Sequence, residues 1–99
     1  MKTTIQSLHF TPSEALNSFI REKAGRLAHL HDRIEACDVY LKIEHSSTDE
    51  NKIAEVKLLV PGHNLFARRQ SAVFETAVDD ALDAIRKQLE KLKTKLENQ

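Results

Sequence analysis

The sequence predicts an α+β fold of order β-α-β-β-β-α, a four-stranded sheet with two helices packed on one face. Three observations predict it. The segments "ACDVYLKIEHS" and "KIAEVKLLVPG" alternate apolar and polar residues with the period of a half-buried strand. Two longer segments carry apolar residues at helical spacing. The turns between the later strands are short enough to make them a meander. One sheet faced by two amphipathic helices buries both apolar stripes at once.

The elements follow in order. "TTIQSLHF" is rich in β-branched and aromatic residues and reads as a short first strand. A helix is expected over "TPSEALNSFIREKAGRLAHL". Thr11 can cap it with Pro12 in the first turn and Glu14 closing a capping box, or Ser13 can be the cap. Leu16, Phe19, Ile20, Leu27 and Leu30 share one face, and Gly25 weakens the helix by about 1 kcal/mol relative to Ala. In the second strand Val39, Leu41 and Ile43 point one way, and Asp38, Tyr40, Lys42 and Glu44 the other. "SSTDEN" is a polar turn, and Pro61-Gly62 closes the third strand. "NLFARRQ" reads as a shorter last strand. From about Ser71 to Glu97 one long helix carries the stripe Phe74, Val78, Ala81, Leu82, Ile85, Leu89, Leu92 and Leu96. The expectation is a single domain over residues 1–99, its last residues fraying.

Composition narrows the function. The 99 residues carry 15 Lys and Arg against 15 Asp and Glu, a net charge of zero, which is atypical of nucleic-acid-binding domains. A zero sum can still conceal a local field. The lone Cys37 excludes an intramolecular disulfide and suits a reducing compartment. No apolar run approaches the ~20 residues of a membrane span, and the N-terminus has no apolar signal region. These features predict a cytoplasmic protein with no membrane partner.

Catalytic signatures are missing. The two glycines are far apart, so no phosphate loop forms, and no HExxH or CxxC is present. His29 and His31, two residues apart, diverge on a helix, and the histidines read as surface residues without a metal. Cys37 has no basic partner and reads as a structural thiol. No cofactor, metal, small-molecule substrate or enzymatic activity is expected.

The informative pattern is the charge on the last helix. Acids Glu75, Asp79, Asp80 and Asp83 fill its first half, and bases Arg86, Lys87, Lys91, Lys93 and Lys95 its second. That order complements the helix dipole. The dipole does not explain position around the helix. At about 100° per residue, Lys87, Lys91 and Lys95 form one line, with Arg86 and Lys93 mixed with acids on the other flank. A solvated face and an anion track both fit this line. Lys23 lies within the apolar stripe of the first helix, and Arg26 borders it. If the helices lie side by side, these two face the lysine line across the interhelical groove, or Lys23 pairs with Asp80 or Asp83. Arg68 and Arg69 point to opposite faces of the last strand, so one at most joins any surface, and a charged edge strand is the simpler reading.

The stretches "SEALNSFIREKAGRL", "VYLKIE", "AEVKLLVPGHNLFAR" and "TAVDDALDAIRKQLEKLKTKL", in this order, resemble the short ribosome hibernation promoting factor and ribosome-associated inhibitor family. The resemblance covers nearly the whole chain. It implies a domain similar to a double-stranded-RNA-binding domain. It implies binding to the small ribosomal subunit and its ribosomal RNA, in the channel of messenger and transfer RNA, with translation blocked by occupancy. Basic residues carried over by position are Lys23, Arg26, Lys87, Lys91 and Lys95; outside that carry-over, Arg68, Arg69 and Arg86 are weaker candidates for RNA binding. The family has a further basic residue one turn before Lys87, where this chain has Ala84, and Glu75 replaces a Tyr. The extra C-terminal domain of the family's long form is not expected. Zero net charge, Ala84 and Glu75 leave a second reading: a protein–protein or self-associating module on the same fold. The oligomeric state of the free protein is not legible from the sequence.

Overall fold

The computed structural model describes residues 1–45 and 47–97, with side chains described through Lys95. The order is β1 (Lys2–Leu8), α1 (Glu14–Gly25), a 3-10 turn (Arg26–His29), β2 (Ala36–Ile43), β3 (Lys52–Val60), β4 (His63–Ser71) and α2 (Phe74–Glu97). The strands lie in the order β1-β2-β3-β4. β1 runs parallel to β2, so α1 is the crossover between them, and β2, β3 and β4 form an antiparallel meander. The predicted α+β class and element order hold. The fraying expected of the last residues falls on Asn98 and Gln99, outside the described residues.

Local chemistry sets the boundaries. Ser13, with extended backbone, caps α1: its hydroxyl accepts the Leu16 backbone N–H at 3.1 Å. Of the two caps the sequence allowed, this is the one used. α1 stops at Gly25 and tightens into the 3-10 turn, earlier than the apolar spacing through Leu30 implied. A tighter turn keeps Leu27 buried while swinging the following residues away from the α-helical phase. β4 is longer than expected, because polar residues on an outer strand hide its pairing with β3 through Ser71. Between β3 and β4, Gly62 has φ +80°, a conformation that favours glycine.

The core lies between the helices and one face of the sheet. Ile20, Ala24, Val39, Leu41, Val56, Leu58, Val78, Ile85 and Leu89 are all essentially inaccessible to water. Ile43, expected on this face, lies at the end of β2 and is half exposed. Ile53 is the reverse case. Its register sets it on the outer face between Lys42 and Gln70, yet it is fully buried. Beside it, Gln70 Nε2 donates to the Glu50 carbonyl. α2 packs on β3 and β4, and α1 lies beside α2 toward β1. Side chains tie the helices to the outer strands: Gln88 Nε2 donates to the Phe66 carbonyl at 2.8 Å, and Arg21 Nη1 to the Thr3 carbonyl at 3.2 Å.

Candidate nucleic-acid interface

The placement of α2 over β3 and β4, with α1 on its other side, gives the helix two lateral flanks. They carry different sets of bases. Toward α1, a hollow of about 310 Å³ is lined by Lys23, Arg26 and Arg86 together with Asp79 and Asp83. Toward β4, a hollow of about 420 Å³ is lined by Arg69, Lys87 and Lys91 with Asp80 and Asp83. Lys87, Lys91 and Lys95 then share a shallow surface with Glu90 and Thr94.

This corrects one expectation. Lys87, Lys91 and Lys95 do form a line, but Lys23 and Arg26 do not face it. The base that shares the interhelical groove with Lys23 and Arg26 is Arg86. A helical projection separates two flanks of α2 without saying which neighbour stands on each. The packing of α2 against the β4 side of the sheet decides that.

Ion pairing divides the candidates further. Lys23 is half-buried, as its place in the apolar stripe requires. Its ammonium lies 5.6 Å from the centre of the Phe19 ring and 3.9 Å from Asp79 Oδ1. The interhelical partner is therefore Asp79, not Asp80 or Asp83. Arg26 pairs with Glu22 at 3.3 Å. Arg86 reaches Asp83 at 2.8 Å and Glu90 at 2.7 Å, and Lys87 reaches the other Asp83 oxygen at 3.2 Å. Arg86 and then Lys87 hold the Asp83 carboxyl below the usual carboxylate range. Asp83 and Glu90 raise the Arg86 guanidinium in turn. Arg68 points to the outer face of the sheet and pairs with Glu44 at 2.9 Å. Arg69 points to the α2 side, as the alternation of the strand predicted, and donates to the Arg68 carbonyl.

Lys91 and Lys95 have no carboxylate partner among the described residues, and neither does Arg69. The uncompensated positive charge of the candidate set thus lies on the β4 flank, toward the end of α2. Arg33 and Lys93 are unpaired as well. They meet at the other side of the same end of α2, beside His29 and His31. Sequence reasoning missed this group, because the spacing of 60 residues between Arg33 and Lys93 carries no local signal.

Cys37 is fully buried under the helices, and its thiol is pushed up to about 12, first by burial and then by the Asp38 charge. A neutral, enclosed thiol is a packing group. Among the described residues no cluster of His, Cys, Asp or Glu could hold a metal ion, and no helix is long and apolar enough to cross a membrane.

Comparison with known proteins identifies the family. Residues 3–97 match the family described as Sigma 54 modulation protein / S30EA ribosomal protein. The chain belongs to that family. Within it, the chain is 29% identical over 96 residues to a ribosome hibernation promoting factor of Klebsiella oxytoca, covering 97% of this chain and 95% of that one. It is 32% identical over 84 residues to a ribosome hibernation promotion factor of Deinococcus radiodurans, covering 84% of this chain but only 44% of that longer relative. The fold superposes on a ribosomal subunit interface protein from Coxiella burnetii with a TM-score of 0.83 at 22% identity, over 95% of this chain and 99% of the other. It superposes on the N-terminal domain of Thermus thermophilus Protein Y with a TM-score of 0.80 at 19% identity, over 93% and 99%. The last two likenesses bear on the fold.

Proposed function

We propose that the protein is a ribosome-associated hibernation factor. It occupies the messenger- and transfer-RNA channel of the small subunit and is held there by ribosomal RNA phosphates on the bases of its helices. The observation that carries this reading is the unpaired lysine track of Lys91 and Lys95, flanked by Arg69 and continued by Lys87, on a chain of the S30EA family. A phosphodiester supplies the negative charge that the chain itself withholds from these positions. Inhibition follows from occupancy, so no bond is made or broken.

The geometry gives the sites unequal weights. Lys91, Lys95 and Arg69 meet phosphate without losing an existing partner. Lys23, Arg26, Arg86 and Lys87 must exchange a carboxylate for it, and this lowers the net gain. Arg68, on the opposite face and already paired, stands outside the interface.

Co-sedimentation with ribosomes at low and at high salt tests the proposal. Binding through phosphates releases counterions, so the pelleted fraction falls steeply as salt rises. The double variant Lys87→Glu with Lys91→Glu retains the fold, since both residues are exposed, and stays in the supernatant. Pelleting of that variant equal to the parent refutes the assignment.

A further inference from the structure

A second concave site lies at the same end of α2 as the lysine track, on its other side. After the 3-10 turn, the chain bends so that His29, His31 and Arg33 reach one hollow of about 460 Å³, and Lys93 of α2 closes it. The two histidines were expected to diverge as they would on an α-helix. They converge because α1 has already ended at Gly25. Leu30, the buried Val60 and Pro61 give the hollow an apolar wall.

Its charge is one-sided. The ionisable groups facing it are Arg33 and Lys93, the two imidazoles, and a single carboxylate, Asp32. Neither Arg33 nor Lys93 is in an ion pair among the described residues, in contrast with Lys23, Arg26, Arg86 and Lys87. His31 is held in one tautomer. Its Nδ1 accepts the Arg33 backbone N–H at 3.0 Å, which leaves the hydrogen on Nε2 free to donate. The site therefore offers a guanidinium, an ammonium and an imidazole N–H even at neutral pH. Planar guanidinium and ammonium donors lining one hollow are the chemistry that holds a phosphoryl group.

We propose that this hollow binds a phosphoryl anion and holds it more tightly as the solution is acidified. Histidine is the side chain that ordinarily gains charge between pH 8 and 5. A protonated imidazole in the hollow adds a third positive group against one Asp32, beside Arg33 and Lys93. Binding and protonation are reciprocal, so the anion must also favour the charged imidazole. The source of the phosphoryl group is either an RNA backbone or a free phosphate compound. Both present the same oxygens.

The test follows the imidazole proton resonances of His29 and His31 across pH by NMR, for the free protein, with oligouridylate, and with inorganic pyrophosphate. No ribosome is involved, so loss of ribosome binding in other experiments leaves this result independent. The expected result is an upward shift of at least one histidine midpoint with ligand, and oligouridylate binding about fivefold or more tighter at pH 5.5 than at pH 8. Oligouridylate suits that comparison because its phosphodiesters do not titrate in this range. Lys93→Gln, at an exposed position, abolishes the shift. A response to oligouridylate alone assigns the site to RNA, and a response to pyrophosphate alone to a free phosphate compound. Unmoved midpoints with both probes, or a shift that survives Lys93→Gln, overturn the proposal.

Discussion

Lys23 of α1 and Asp79 of α2 join the two helices, with Nζ 3.9 Å from Oδ1. The distance is an ion pair's and too long for a hydrogen bond. The pair is partly exposed, and partly exposed pairs contribute less than about 1 kcal/mol. Asp79→Ala is therefore expected to lower stability by no more than that in urea unfolding. The same change frees Lys23 for an anion. Its expected effect on RNA binding is a modest increase, read by ribosome co-sedimentation at moderate salt.

Asp83 restrains two bases at once, Arg86 at 2.8 Å and Lys87 at 3.2 Å. Asp83→Asn keeps the shape and removes the charge. Tighter ribosome binding, by several-fold at low salt, is the expected outcome, since Lys87 then lacks a competitor and Arg86 keeps only Glu90. Weaker binding of that variant would show that the carboxylate orients the bases for their ligand. Acid acts on the same group. The folded Asp83 carboxyl titrates below its unfolded value, so its stabilising contribution is present above the unfolded value, ordinarily near 3.8. It is lost as pH falls through the lower, folded value, a window confined to strong acid.

Ala84 lines the hollow with Arg69, Lys87 and Lys91. A basic residue there is what the resemblance of the sequence implies for this position. Ala84→Lys is expected to raise ribosome affinity and to steepen its salt dependence by about 0.7–0.9 in logarithmic slope, the increment for one added phosphate contact. Lys91→Gln and Lys95→Gln should each reduce the slope by a similar amount.

Cys37 sits against the core with its thiol raised from the ordinary 9.0 to about 12. The unfolded thiol ionises first, so stability from this group is intact below pH 9 and declines as pH rises toward 12. A thiol reagent at pH 8 should label the native protein only at the rate of unfolding. Rapid native labelling would contradict the packing around it.

Ser13 closes the first turn of α1 through the Leu16 N–H. Ser13→Ala is expected to cost about 1 kcal/mol, the usual worth of such a cap. Thr11→Ala should cost much less, because Thr11 is not the cap. Chemical denaturation of both variants separates the two starts that the sequence permitted.

The fold was largely legible because periodicity and register are written locally. The alternation of Val39 and Leu41 and the stripe from Phe74 to Leu92 fixed which face of each element is buried. The site was legible in part. The lysine line of α2 and the intrusion of Lys23 into an apolar stripe follow from the helical period alone. The identity of their neighbours does not. Arg86 in place of Lys87 beside Arg26, and Asp79 in place of Asp83 beside Lys23, depend on how α2 rotates on the sheet. The convergence of His29 and His31 depended on one event, the end of α1 at Gly25, which the apolar spacing through Leu30 concealed.

The bonds from Gln88 to the Phe66 carbonyl and from Arg21 to the Thr3 carbonyl fall on β4 and β1, the two outermost strands. An outer strand with open backbone groups is a template on which a second copy can add. Here the helices reach over and occupy acceptors on both margins, and Arg69 occupies another at Arg68. Fewer open acceptors are thereby left on either margin for a second copy to pair with.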